Sequence, residues 1–314
     1  MNKAVVVGSI NMDIVAFVKH PPKIGETILG KGVRYFPGGK GSNQAIACQR
    51  LGCKTLMIGR IGDDAFGEQL LAFQKQEGID ASGIRRLGDT ATGTAFITVS
   101  ESAQNSIIVI SGANALWEDD FLDGVTIETG DIVLAQFEIP DHAIQQAFQK
   151  AKACGATTLL NPTPARPIKE EIREYTDLIV INEHELAELT GSTIDCGNDE
   201  SIFDAVEQFS QTGYQTVIVT LGDKGVRLLH QGQRHKIMAR NVNAVDTTGA
   251  GDTFIGGLVA GLLPGLDLTK AAELGNIAAS ISVTRPGAAS SIPTLAEVNR
   301  FLHASEPSTI KTIS

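Results

Sequence analysis

Aromatic residues are scarce in this chain, 5% of its 314 residues with a single tryptophan. Cysteine is scarcer still. The four present (Cys48, Cys53, Cys154, Cys196) make no CxxC pair and no Cys/His ligand spacing. That argues against a disulfide-stapled scaffold or a zinc module and leaves buried, reduced thiols as the expectation. Positive charge is also in deficit: 26 Lys and Arg face 36 Asp and Glu, a net charge of -10. A nucleic-acid binder would show a basic patch, so no nucleic-acid partner is expected. A phosphate-bearing ligand is still compatible, because local dipoles and a metal ion outweigh global charge at short range. Long hydrophobic runs are missing as well. The apolar stretch over residues 254–263 is interrupted by Gly256, Gly257 and Gly261, and a bilayer crossing needs about 20 apolar residues. The opening run over residues 4–10 is short for a signal peptide and meets polar Asn11 and Asp13, so it reads as a buried first strand. The expectation is a soluble cytoplasmic protein with no membrane partner.

What is present is a 42% hydrophobic chain with 33 glycines in no fixed period. That is enough for one large core with a small appendage. Strands are expected over residues 3–10, 55–61, 131–135, 157–160, 178–181 and 216–221. They alternate with helices over 38–51, 63–77, 141–154 and 202–211. Such alternation indicates an α/β fold, a central and mostly parallel sheet with helices on both faces. The early extended segments and a hairpin near residues 94–110 do not fit this rhythm. They are better read as a small β-sheet lid. The expected organisation is a single α/β domain over residues 1–305, with lid segments at about 12–36 and 93–111. A polar tail, expected to be unstructured, follows over 306–314.

Polar or glycine residues stand at the carboxyl ends of the expected strands: Asn11, Asp13, Glu138, Asn161, Asn182, Thr220 and Gly222. Each alone is an ordinary turn residue. Together they define the edge where open α/β sheets bind ligands.

The most informative stretch is Asp246-Thr247-Thr248-Gly249-Ala250-Gly251-Asp252-Thr253-Phe254, which leads into an apolar helix. Small residues at a helix N-terminus let an anion approach unpaired N–H groups. A carboxylate one turn in can take a proton from an attacking hydroxyl. The stretch therefore reads as a phosphoryl-transfer site, against the plainer alternative of an N-cap with an acidic first turn. Other motifs fail. Gly38-Gly39-Lys40-Gly41-Ser42 lacks the earlier glycine and the hydroxyl residue directly after lysine that a Walker A loop needs. Gly8-Ser9-Ile10-Asn11 is not GxGxxG, and His184-Glu185-Leu186-Ala187-Glu188 lacks a second histidine. No GxSxG elbow occurs.

Four segments resemble the ribokinase-like sugar kinases, the phosphofructokinase B family. They are Gly8-Ser9-Ile10-Asn11-Met12-Asp13, Gly38-Gly39-Lys40-Gly41-Ser42-Asn43-Gln44-Ala45, Asn182-Glu183-His184-Glu185 and the stretch from Asp246 to Phe254. The resemblance runs along nearly the whole chain. It implies ATP-dependent phosphorylation of the hydroxymethyl oxygen of a small sugar, with D-ribose to ribose 5-phosphate first among the candidates. Asn11, Asp13, Gly39, Lys40, Asn43 and Glu138 would hold the sugar. Asp252 would be the general base. Gly249, Ala250 and Gly251 would form the anion hole. Asn182, Thr220, Gly222, Gly251 and Asn276 would line the ATP site. Glu185 would hold Mg²⁺ through water, and Asp246, Thr248, Ser282, Arg285, Gly287 and Ser291 would surround a K⁺-like ion. The lid of such kinases often forms a homodimer. Near its helix N-terminus, Asp252 is expected to be ionised at neutral pH. Deoxyribose, fructose, a keto-deoxy sugar acid or a nucleoside are the alternative substrates. A sugar- or nucleotide-sensing module on the same fold is the alternative outside catalysis, and a dehydrogenase stands a distant third.

Overall fold

The structure, a computed structural model, describes residues 2–102, 105–304 and 310–313. Along the chain run β1 (Lys3–Val7), β2 (Asn11–Val18), β3 (Gly32–Gly38), α1 (Lys40–Arg50), β4 (Lys54–Gly62), α2 (Ala65–Gln76), β5 (Asp80–Leu87), β6 (Gly93–Ser100) and β7 (Asn105–Ile110). Then come β8 (Ile132–Gln136), α3 (Asp141–Ala153), β9 (Thr157–Asn161), α4 (Glu170–Arg173), β10 (Leu178–Asn182), α5 (Glu183–Thr190), α6 (Asp199–Ser210) and β11 (Thr216–Thr220). The chain closes with β12 (Val226–His230), β13 (Gln233–Ile237), α7 (Ala250–Leu262), α8 (Leu268–Ser282), α9 (Leu295–Ala304) and β14 (Ile310–Ile313).

The strands of the main sheet lie in the order β14-β13-β12-β11-β10-β9-β8-β1-β4-β5. From β11 through to β5 every pairing is parallel. Side chains of β1 alternate between two cores: Val5 and Val7 pack with α3 and α6, while Ala4 and Val6 pack with α1 and α7. This two-sided burial is why the parallel strands read as continuous apolar runs. The order reverses at β1, which has β4 on one side and β8 on the other. A crevice opens at such a switch point. The carboxyl ends of β1 and β8 lead there directly into Asn11 and Glu138.

The sequence did not indicate the antiparallel edge. β12 and β13 form a hairpin, and Gln231 and Gly232 in its two-residue turn both have positive φ. That is the type I′ geometry normally marked by Asn-Gly. Gln-Gly is a weak signal, and β13 is polar. The expected C-terminal tail is corrected in part. Ile310–Ile313 is a strand paired with β13, and it covers an edge that would otherwise expose unpaired backbone. The rest of the tail call, residues 306–309 and 314, lies outside the described residues. β5 was also unforeseen. It is an edge strand whose Arg85 and Arg86 mask its period.

A second sheet, in the order β3-β2-β6-β7, stands over the crevice. It is made of the segments read as a lid, with β3 beginning only at Gly32. β2 with β3 and β6 with β7 are antiparallel, while β2 with β6 is parallel.

Candidate active site

α7 starts at Ala250 from Gly249, which adopts a left-handed backbone, φ 74°. A Cβ at Gly249 would stand 3.0 Å from Ala288 Cα, so both the conformation and the close approach call for glycine. The loop ahead of it is braced by Asp246. Its Oδ1 accepts from Thr248 N at 2.9 Å and Thr248 Oγ1 at 2.7 Å, and its Oδ2 accepts from Gly287 N at 2.7 Å. Burial alone would raise the Asp246 pKa, but these bonds hold it below the usual carboxylate value. The Ala250 N–H bonds to Thr247 O at 3.2 Å, which an incoming anion has to share or displace.

Asp252, in the first turn of α7, is buried. Its Oδ2 accepts from Asn43 Nδ2 at 3.1 Å and its Oδ1 from Gln44 Nε2 at 3.0 Å. Burial pushes its pKa up, against the pull of the Lys40 charge and of these two amides, and with a further push from Glu138. The pull of the helix end on the charged form is thus opposed by burial. Desolvation outweighs the favourable contacts and moves the group towards a stronger base.

On the other wall, Asp13 of β2 is raised to about 7, first by burial and then by the nearby carboxylates of Glu138 and Asp252. Gly38 makes room for it, since a Cβ there would fall 2.2 Å from Asp13 Oδ2. Glu138 Oε2 accepts from Lys40 N at 2.9 Å and from Ser9 Oγ at 2.5 Å. Gly39 is the N-cap of α1. Asn43 Oδ1 is buried without a hydrogen-bond partner among the described residues, although its own Nδ2 is engaged. Asn11, Asn114 and Glu138 line a cavity of about 350 Å³ between β7 and the end of β8. Asn11 Oδ1 accepts from Asn114 Nδ2 at 2.7 Å, so its remaining amide hydrogens are the groups free to meet a ligand.

A larger cavity of about 590 Å³ gathers Thr220, Gly222, Ala250, Gly251 and Asn276. Asn182 is not among its lining residues. Its Oδ1 instead accepts from His184 N and Glu185 N, both at 2.9 Å, as the N-cap of α5. Glu185 Oε2 accepts from Asn182 N at 2.9 Å, and its Oε1 accepts from Thr163 Oγ1 at 2.6 Å. With both oxygens engaged, Glu185 suits contact with a metal through water better than direct ligation. Among the described residues no group of three or more His, Cys, Asp or Glu could hold a metal.

Of the residues expected around a monovalent cation, Asp246, Thr248 and Gly287 are hydrogen-bonded together. Ser282 Oγ donates to Ala279 O and Ser291 Oγ to Ala288 O, while Arg285 pairs with Glu297 at 2.6 Å. Both hydroxyls donate their hydrogens in these bonds and keep oxygen lone pairs for a cation. Sequence reading missed Ser9, Gln44, Asn114 and Gln136. Gln44 had a signal, an amide on an otherwise apolar helix face. Asn114, in the turn Gly112–Ala115, had none.

A large parallel sheet with a switch-point crevice, a small covering sheet and an acid at a glycine-rich helix start define a class of enzyme that moves a phosphoryl group onto a hydroxyl. The chain matches the pfkB family carbohydrate kinases over residues 1–295, and it belongs to that family. It is 41% identical over 299 residues to a ribokinase of Haemophilus influenzae, covering 95% of this chain and 97% of that protein. A ribokinase of Staphylococcus aureus is 42% identical over 303 residues, covering 95% and 99%. A solved structure of Arabidopsis thaliana ribokinase, complexed with ribose and ATP, superposes with a TM-score of 0.86 at 34% identity, covering 96% of this chain and 98% of that one.

Proposed function

We propose that this chain transfers the γ-phosphoryl of ATP to the hydroxymethyl oxygen of ribose, giving ribose 5-phosphate. The observation that carries the reading is the start of α7. There the buried Asp252 stands among sugar-side groups while its neighbours Ala250 and Gly251 line the larger cavity. The whole-length relationship to ribokinases and the ribose and ATP of the Arabidopsis neighbour support ribose over other sugars.

In this reading Asn11, Asp13, Gly39, Lys40, Asn43 and Glu138 hold the sugar, and the unpaired Asn43 Oδ1 accepts one of its hydroxyls. Asn11 disfavours deoxyribose, since a missing hydroxyl leaves a buried amide unpaired. Thr220, Gly222, Gly251 and Asn276 take the nucleotide, and Asn182 acts indirectly by fixing Glu185. Phosphoryl transfer has a loose transition state, so positioning and charge stabilisation dominate. The N–H groups of Gly249, Ala250 and Gly251 face the charge that develops on the migrating group. Asp252 takes the hydroxyl proton as the bond to phosphorus forms. Glu185 would hold Mg²⁺ through water, and the ion would supply neutralisation of phosphate charge. A K⁺-like ion would steady the loops carrying Asp246, Thr248, Ser282, Arg285, Gly287 and Ser291. The small sheet excludes water over the bound sugar. Its exposed face is the surface for a homodimer, and four free thiols suit a cytoplasmic setting.

The test is ADP release from Mg²⁺-ATP with ribose, deoxyribose, fructose, adenosine and a sugar acid, in potassium and in sodium-only buffer. Asp252→Asn is expected to lose on the order of 10²–10⁴ in turnover while staying folded, with ribose preferred and potassium stimulating. Full activity in Asp252→Asn would sink the assignment of the base. Activity confined to another sugar would reassign the pocket, and indifference to potassium would remove the cation.

A further inference from the structure

Gln44 is fully buried on α1, and its side-chain amide has no freedom left. Nε2 donates to Asp252 Oδ1 at 3.0 Å and to Asn161 Oδ1 at 3.1 Å, and Oε1 accepts from Gln136 Nε2 at 2.6 Å. A primary amide has two N–H donors, and here both go to oxygens. Turning the amide over would set its carbonyl against Asp252 and its NH₂ against that of Gln136. The oxygens of Asp252 and Asn161 therefore fix the orientation, and the Gln136 amide completes it at Oε1. The chain of bonds continues beyond Asn161. Asn161 Nδ2 donates to Thr163 Oγ1 at 2.9 Å and to Val180 O at 2.9 Å. Thr163 Oγ1 donates to Glu185 Oε1 at 2.6 Å. A continuous ladder thus runs along the carboxyl ends of β8, β9 and β10, from the acid at the start of α7 to the capped start of α5.

Packing alone would not need this arrangement, because a methionine fills nearly the same space without polar atoms. A buried amide is retained at low cost only when it is satisfied, and here the satisfaction includes one specific carboxylate oxygen. A donor on a carboxylate favours its charged form.

We propose that Gln44 is the positioning residue for the base. It holds the Asp252 carboxylate in one orientation and in readiness to accept a proton, and through Asn161 and Thr163 it ties that setting to Glu185. The inference rests on the reading of Asp252 as the base. Three other charged groups face Asp252: Lys40 from α1, Glu138 after β8 and Asp13 from β2. Gln44 bonds to none of them, so removing its donors acts first on Asp252.

The experiment is a carboxyl ¹³C titration of the full chain labelled at aspartate Cγ, with Asp252→Asn to assign the signal. It is run beside the pH profile of kcat/KM for ribose. Gln44→Met is expected to raise the Asp252 midpoint by about one pH unit. The acid limb should move up with it, turnover below that limb should fall about tenfold, and KM for ribose should stay within about twofold. Gln44→Glu, which sets a second acid beside the first, should shift the midpoint further. Gln136→Met removes the donor on Gln44 Oε1, which loosens the Gln44 amide, and covers the case in which Gln44→Met does not fold. A smaller shift of the same sign is expected there. An Asp252 midpoint unmoved in every folded variant, with only thermal stability lowered, overturns the proposal. Turnover retained in Asp252→Asn would instead overturn the base itself, while the titration would still report the hold of Gln44 on the carboxylate.

Discussion

Asp13 shows how a carboxylate buried among other carboxylates burdens the folded protein. Its folded pKa is raised to about 7 from the ordinary carboxylate value of 3.8, by burial first and by Glu138 and Asp252 next. Between those values the folded state binds more protons than the unfolded state, so stability falls as pH rises. The contribution of this group is fully present below about pH 3.8 and is lost as pH passes through about 7. Asp13→Asn should therefore stabilise the sugar-free protein at pH 8 more than at pH 5, at the expense of ribose affinity. Thermal unfolding at the two pH values would show it, and an equal shift at both would contradict the origin of the raised pKa. At this scale the sequence marks candidate residues and is a poor guide to their environment. Asp252 was legible from its glycine-rich string. Its desolvation was not, because Asn43, Gln44 and Lys40 reach it from more than two hundred positions away. Asn114 fixes Asn11 from across the small sheet, and no local pattern announces such a pairing.

Among the elements, α7 decides the geometry. It packs at backbone distance on both sides. A Cβ on Gly256 would lie 2.3 Å from Ala47 Cβ of α1, and one on Gly257 would lie 2.6 Å from Gly275 Cα of α8. Neither neighbour is a flexible side-chain end that could step aside. Gly257→Ala is expected to cost about 1–3 kcal/mol, measured by urea unfolding, and to lower turnover by displacing Asp252 from its amides. Unchanged stability would mean that α7 and α8 can part more easily than their contact suggests. Sequence periodicity located α7, α1 and the parallel strands because one face or both faces are apolar. It did not reveal that Gly256 and Gly257 are contact points, since the neighbours they touch are brought there by the tertiary fold. The β12–β13 hairpin escaped because its strands carry charge on an exposed edge and its turn uses glutamine where asparagine is usual.

At the scale of the whole molecule, the small sheet is the least finished surface. Ile107, Ile108, Val109 and Ile110 of β7 are all more than half exposed, Ile108 at 67%. Tyr35, Val33 and Phe96 add to the same sheet. Exposed apolar strands of this kind mark pairing surfaces. If this face joins two copies, Ile108→Glu should convert a dimer to a monomer in sedimentation velocity at micromolar concentration. A dimer that survives the substitution would place the interface elsewhere. The two-sheet plan itself was legible, because the early extended segments broke the rhythm of strand and helix. Its closure against the crevice was not, since that depends on how β2 pairs with β6 across a long stretch of chain.

The connections between the two sheets have a mechanical consequence. β1 passes into β2 through Gly8, Ser9 and Ile10 alone, and β3 passes into α1 through Gly39 alone. Neither tether has slack, and each ends on residues assigned to the sugar: Asn11 on the first, Lys40 on the second. An outward swing of the small sheet would therefore not uncover a finished pocket but take it apart. The sugar would then act as the rivet that joins the halves, and without it the two sheets would have no common machine to run.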